Sequence, residues 1–199
     1  MVKRVSIGVV GIQGAVTEHI NSMKQVFKKT NTSGEVFSIK NKEEIKEIDA
    51  LIIPGGESTT ISRILFQSEL HNQIKKRVEN KDLPIMGTCA GCVILAKKLD
   101  ENSHDVRLLE LMDMQVTRNA FGRQKESFEQ TIELDDFKEP YNAVFIRAPV
   151  IEKTWNNCKA LAKIENKIIM ARQDNILALS FHPELTDDLR IHRYFLDMI

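Results

Sequence analysis

The chain has 199 residues, a length that suits one domain whose core needs no disulfide or metal staple. It is 42% hydrophobic and 28% charged, with 28 basic residues against 28 acidic ones. That balance leaves neither the basic footprint of a nucleic-acid binder nor a polybasic membrane patch. Three cysteines (Cys89, Cys92 and Cys158) are too few, and odd in number, for a secreted disulfide framework. No run approaches the roughly 18 apolar residues of a membrane span. The apolar stretch near Met1 is too short for a signal peptide, so a cytoplasmic location is expected.

In chain order, Val5–Val10 reads as a strand that breaks at Gly11-Ile12-Gln13-Gly14, and Ala15–Lys28 as a helix. Gly34–Ile39 and Ala50–Ile53 read as strands, the latter closed by Pro54-Gly55-Gly56. Ser58–Asn80 carries helical periodicity, with Ser58 as N-cap and Ile61, Ile64, Leu65, Ile74 and Val78 facing inward. Pro84–Gly87 is a short buried strand and Ala90–Leu99 a helix. Shorter strands follow at Met114–Asn119, Glu129–Leu134, Ala143–Ile146, Ala160–Glu165, Lys167–Gln173 and Ile176–Phe181, some of them antiparallel. Glu165-Asn166-Lys167 and Gln173-Asp174-Asn175 are turn candidates. A last helix spans Asp187 to Met198. The alternation predicts an α/β fold over 1–199: a mixed, mostly parallel sheet between helices.

The sharpest chemical signal is Gly87-Thr88-Cys89-Ala90-Gly91, between a strand and a helix. Glycines two before and two after a nucleophile permit the tight strand-to-helix turn of an elbow. A thiol there meets a helix N-terminus, which favours thiolate, and the N–H of Ala90 can face a developing oxyanion. The pentapeptide also fits a small buried thiol. Cys89 and Cys92 have the spacing of a dithiol or half a zinc site, but no second Cys or His pair is suitably spaced, and no metal is expected.

A nucleophilic cysteine needs a base. Of five histidines, only His182 directly follows a continuous apolar strand; Pro183 ends that strand, and Glu184 can face the same side as the ring. Solvent-facing roles are expected for His19, His71, His104 and His192, and an inward, apolar role for Cys92. Pro54-Gly55-Gly56-Glu57-Ser58 exposes backbone N–H groups that suit the second half of an oxyanion hole, or a plain turn before a helix. Arg118, Arg123 and Arg147 stand near strand ends, where a guanidinium can bind a carboxylate or make a surface ion pair.

Taken together, six segments resemble the class I, triad-type glutamine amidotransferases, and within them the glutaminase subunits of pyridoxal 5′-phosphate synthases. They are Gly11-Ile12-Gln13-Gly14-Ala15, Leu51 to Thr60, Gly87 to Gly91, Arg118-Asn119-Ala120-Phe121-Gly122-Arg123-Gln124, Phe145-Ile146-Arg147-Ala148-Pro149 and Phe181 to Thr186. The resemblance spans the first strand to the last helix. It implies a three-layer, flavodoxin-like fold and a triad of Cys89, His182 and Glu184. It implies an oxyanion hole from Gly56 and Ala90, and contacts to L-glutamine from Gly55, Gly56, Glu57, Ser58, Arg118, Ile146 and Arg147. Gln13 would couple the site to a partner, a (β/α)₈-barrel synthase subunit that receives the ammonia; no cofactor is implied. Delivery to another acceptor, such as imidazole glycerol phosphate synthase, is the alternative, and Phe121 to Gln124 argues against it. Cys92 stands where the family usually has an apolar residue.

Overall fold

The computed structural model describes residues 4–100, 105–121, 127–134 and 136–199. His104 and the segment Gly122-Arg123-Gln124 lie outside the described residues.

The first half alternates as expected. Strand β1 (Val5–Val10) is followed by helix α1 (Val16–Thr30), strand β2 (Gly34–Ile39), strand β3 (Ala50–Ile53), helices α2 (Ser58–Gln67) and α3 (Leu70–Glu79), strand β4 (Ile85–Thr88) and helix α4 (Ala90–Leu95). Strands β5 (Ala96–Leu99), β6 (Met112–Thr117), β7 (Ser127–Ile132), β8 (Tyr141–Ile146), β9 (Val150–Thr154), β10 (Lys159–Ile164), β11 (Lys167–Gln173) and β12 (Ile176–Leu179) follow, then helix α5 (Arg190–Leu196).

Nine strands run in the order β2-β1-β3-β4-β12-β11-β9-β6-β5, with β10 added on β11, while β7 and β8 form a separate ribbon. The five strands from β2 to β12 are parallel neighbours. Beyond β12 the sheet turns antiparallel through β11, β9 and β6. Both proposed turns close hairpins on β11, with Glu165 and Asp174 at φ near 52° and 53°.

Continuous apolar strands make sense only if both sheet faces are covered. Successive residues of β3 and β12 alternate between two buried clusters. Leu51, Ile53, Ile176 and Ala178 face α2, α3 and α4, while Ala50, Ile52, Leu177 and Leu179 face α1, α5 and the β7–β8 ribbon. The result is the expected three-layer, mixed and mostly parallel fold.

Four local expectations are corrected. The helix read over Ser58–Asn80 is two helices, because Glu69 turns left-handed at φ 58° and Ser68 caps the Ile64 carbonyl with its hydroxyl at 2.7 Å. Neither glycine nor proline marks that break. The helix read over Ala90–Leu99 stops at Leu95; Ala96–Leu99 pairs in parallel with β6 instead, a ladder overriding the helical propensity of Ala-Lys-Lys-Leu. Val150–Thr154 is a further strand that the sequence reading missed. The last helix is shorter than Asp187–Met198, since Pro183–Leu185 first makes a 3₁₀ turn and α5 begins only at Arg190.

The helix after β4 lies hard against β3. A Cβ placed on Gly91 would sit 2.1 Å from the Ile53 carbonyl oxygen, a backbone atom that cannot step aside. Gly91→Ala is therefore expected to cost about 1–3 kcal/mol of stability by overpacking. Urea denaturation checks this, and an unchanged midpoint would mean that α4 has room to shift.

Candidate active site

Three neighbouring parallel strands deliver the site. β3, β4 and β12 end at one edge of the sheet, and the residues just past them are Gly55 to Ser58, Cys89 and His182. Such carboxyl edges are where open α/β sheets carry ligands.

Cys89 occupies the turn between β4 and α4 with φ 48° and ψ −101°. That conformation is unfavourable for a side-chain-bearing residue, and a held outlier of this kind is typical of nucleophile elbows. Two ties enforce it: the Cys89 N–H donates to the Leu179 carbonyl on β12 at 2.8 Å, and its carbonyl accepts from Val93 N–H in the first turn of α4. The sulfur faces the Ile146 carbonyl at 3.7 Å, and Cys89 is 9% exposed and lines the cavity, so it is buried yet reachable.

His182 stands across from it. Its N–H donates to the Val144 carbonyl on β8 at 2.8 Å, which ties the strand end to the ribbon. Ring Nδ1 lies 2.7 Å from Glu184 Oε1, and both side chains are buried. Burial alone would lower the pKa of this imidazole. Hydrogen bonds to Cys89 and Glu184, together with their negative charge, outweigh that and raise it to about 10. Glu184 is pulled the other way: burial would raise its carboxyl, but the hydrogen bond and charge of the His182 imidazolium bring it below its ordinary value. The arrangement therefore sets the Cys89 sulfur, an imidazolium and a carboxylate in a row.

The cavity beside the sulfur measures about 370 Å³, enough for a small ligand. Of the predicted residues, Gln13, Gly56, Glu57, Ser58, Cys89, Ala90, Arg118, Ile146, Arg147 and His182 line it. Gly55 and Glu184 stand just behind the wall, against the imidazole. Asn119, Val93 and Pro149 complete the lining and escaped the sequence reading. One rim is organised by polar contacts. Gln13 Oε1 accepts from the Glu57 N–H at 2.8 Å, and the Glu57 carboxylate meets Arg118 Nη2 at 3.3 Å. The Gly55 carbonyl accepts from Ala15 N–H at 3.1 Å, which turns the Gly56 N–H away from the β1 loop. Gly56 itself has φ 155°, a region reserved for glycine.

Smaller expectations divide. Glu57, not Ser58, is the N-cap of α2, its carboxylate accepting from Thr59 N–H; Ser58 is already in the first turn. Cys92 is fully buried on the inward face of α4, where desolvation pushes its thiol far above the usual range. His71 stacks on Phe66 with ring centroids 4.1 Å apart. The solvent-facing expectation fails for His19 and His192, both 0% exposed. They occupy the buried stripes of α1 and α5, His19 in helical register with Met23, Val26 and Phe27. That register was the available signal: charge suggested solvent, but spacing pointed inward. Among the described residues, no group of three or more His, Cys, Asp or Glu is placed to hold a metal ion.

A model of the SNO glutamine amidotransferase family matches residues 9–199. The pyridoxal 5′-phosphate synthase subunit PdxT of Methanococcoides burtonii is 48% identical over 196 residues, covering 97% of this chain and 98% of its own. PdxT of Pyrococcus horikoshii is 49% identical over 191 residues, covering 96% and 97%. The crystal structure of a glutamine amidotransferase superposes with a TM-score of 0.87 at 40% identity, over 96% of this chain and 97% of its own.

Space around the imidazole is tight. A Cβ on Gly55 would stand 2.4 Å from His182 Cε1 and 3.3 Å from Cys89 Cβ. Gly55→Ala should therefore push the ring off the sulfur in a chain that still folds. The expected result is slower alkylation of Cys89 by iodoacetamide at pH 7, because the imidazole that can take up its proton has moved away. An unchanged rate would show that ring and sulfur do not depend on that gap.

Proposed function

The chain belongs to the SNO glutamine amidotransferase family, and from that premise we propose how its residues divide the work. It hydrolyses L-glutamine to L-glutamate and supplies the ammonia for pyridoxal 5′-phosphate synthesis. The relatives described above are pyridoxal 5′-phosphate synthase subunits, so delivery to imidazole glycerol phosphate synthase is not favoured.

In the proposed mechanism, the Cys89 thiolate attacks the side-chain amide carbon of glutamine. The N–H groups of Ala90 and Gly56 receive the oxyanion. His182 gives its proton to the departing ammonia and leaves a γ-glutamyl thioester on the sulfur. It then takes a proton from water as the water attacks the thioester, and glutamate departs. Glu184 holds the ring by Nδ1 and offsets the charge of the imidazolium. Arg118 and Arg147, on the pocket wall, take the α-carboxylate, with Gly55, Glu57, Ser58 and Ile146 shaping the rest of the glutamine site. The observation that carries this reading is the convergence of Cys89, His182 and Glu184 at the ends of two adjacent strands, beside a cavity with two arginines.

The partner we propose is a (β/α)₈-barrel synthase subunit docked over the rim formed by Gln13 and Glu57, in the cytoplasm, with no nucleic acid or membrane involved. Gln13 is placed to report docking, because its side chain holds the N–H that follows Gly56. A single misdirected oxyanion donor costs about 3–4 kcal/mol, or two to three decades in rate. Docking that sets the Gly55-Gly56 peptide is thus a sufficient switch.

The test is ammonia release from glutamine with and without the synthase subunit, for wild type and Cys89→Ala. The isolated wild-type chain should be slower by about a hundredfold, one donor's worth, and Cys89→Ala should be inactive in either state. Full activity without a partner would refute the switch, and ammonia release by Cys89→Ala would refute the nucleophile.

A further inference from the structure

Behind the triad lies a second set of buried polar side chains that the chemistry above does not use. His19 on α1, Thr88 at the end of β4 and His192 on α5 are all 0% exposed. His19 Nδ1 lies 3.1 Å from His192 Nε2. His19 Nε2 lies 3.1 Å from Thr88 Oγ1 and 3.3 Å from Glu184 Oε2. Thus one oxygen of the Glu184 carboxylate meets the catalytic ring, and the other meets a second ring. That second oxygen is closed to water and has no aligned hydrogen bond among the described residues.

The protons in this cluster can be assigned. An ionised carboxylate only accepts, so the ring nitrogen facing Glu184 Oε2 must carry the hydrogen. His19 is then an Nε2–H tautomer, its Nδ1 accepts, and His192 Nε2 donates to it. The leftover lone pair falls on His192 Nδ1, a ring nitrogen buried without a hydrogen-bond partner among the described residues. An orphaned acceptor is the milder of the two alternatives. Desolvation holds both rings below their ordinary pKa, so they stay neutral.

Resting on the glutaminase reading, we infer that His19 is a positioning residue: its ring, anchored through Nε2 to Thr88 Oγ1, stands 3.3 Å from Glu184 Oε2 and fixes the plane in which Glu184 holds His182. A carboxylate held at one oxygen can pivot about that contact; a ring packed 3.3 Å from the other oxygen, with N–H polarity toward it, limits the pivot. The neutral ring suits the task. A lysine or arginine would orient Glu184 equally well but would offset the charge that His182 needs when it is protonated. The groups facing His19 are Thr88, Glu184 and His182 at the sheet edge, His192 from α5, and Glu18 on its own helix.

The experiment measures glutamine hydrolysis against pH in the complete complex with the synthase subunit, for wild type, His19→Leu, His19→Gln and His19→Asn. His19→Leu should lower kcat about ten- to a hundredfold, as loss of a supporting hydrogen bond typically does, with KM for glutamine nearly unchanged. Its alkaline limb should also move to lower pH. A loosely held Glu184 supports the imidazolium less, so His182 gives up its proton earlier as pH rises. His19→Gln places an amide N–H near the Nε2 position and should restore both rate and limb. His19→Asn is one carbon too short and should not. If His19→Leu fails to fold, the Gln and Asn pair decides alone. An active His19→Leu with a wild-type alkaline limb overturns the inference, as do Gln and Asn variants that behave alike. A wild-type complex that releases no ammonia would instead remove the glutaminase reading, and this inference with it.

Discussion

Glu184 Oε1 and His182 Nδ1 meet at 2.7 Å in a place nearly closed to water, and the rest of the site depends on that contact. An imidazole loses much of its basicity when buried, because its charged form is stripped of hydration. Here the hydrogen bonds and charge of Cys89 and Glu184 together more than return what burial removes. The same lack of water that makes a lone charge costly makes each of these contacts strong. The three groups are therefore interdependent: the ring keeps its proton because Cys89 and Glu184 flank it on two sides.

The sheet supplies the rigidity. β4 and β12 are parallel neighbours, in register from Ile85 opposite Ile176 to Thr88 opposite Leu179. The residues just beyond each strand are consequently set by a hydrogen-bonded ladder rather than by loops. The unusual backbone of Cys89 persists because the ladder on one side and α4 on the other leave it no alternative. The β3 end completes the edge with Gly55, whose lack of a side chain leaves room for the ring, and Gly56, packed against Gln13 and Gly14.

Much of this was legible in the sequence, for a physical reason. Strands buried on both faces need unbroken apolar runs, and Leu51–Ile53, Ile85–Met86 and Ile176–Leu179 are such runs. The elbow glycines and the His-Pro-Glu order are local signatures, so Cys89, His182 and Glu184 could be named before the fold was seen. What escaped depends on distant partners. Ala96–Leu99 is a strand only because β6 lies beside it, and Glu69 is left-handed only because Leu65 and Leu70 must both reach the core. His19 and His192 were misplaced because their charge state, and hence their affinity for water, is set by the cluster that buries them.

The central claim is the protonation state of one ring, so ¹⁵N NMR of His182 across a pH titration tests it most directly. The account predicts an imidazolium with both nitrogens protonated at neutral pH, losing its proton only well above the ordinary histidine value of 6.5 and near 10. Because the folded value lies above the unfolded one, the stabilisation is complete below about pH 6.5 and fades as pH rises through the folded value. A His182 that titrates at or below 6.5 would contradict the account, since neither Glu184 nor Cys89 would then be holding its proton.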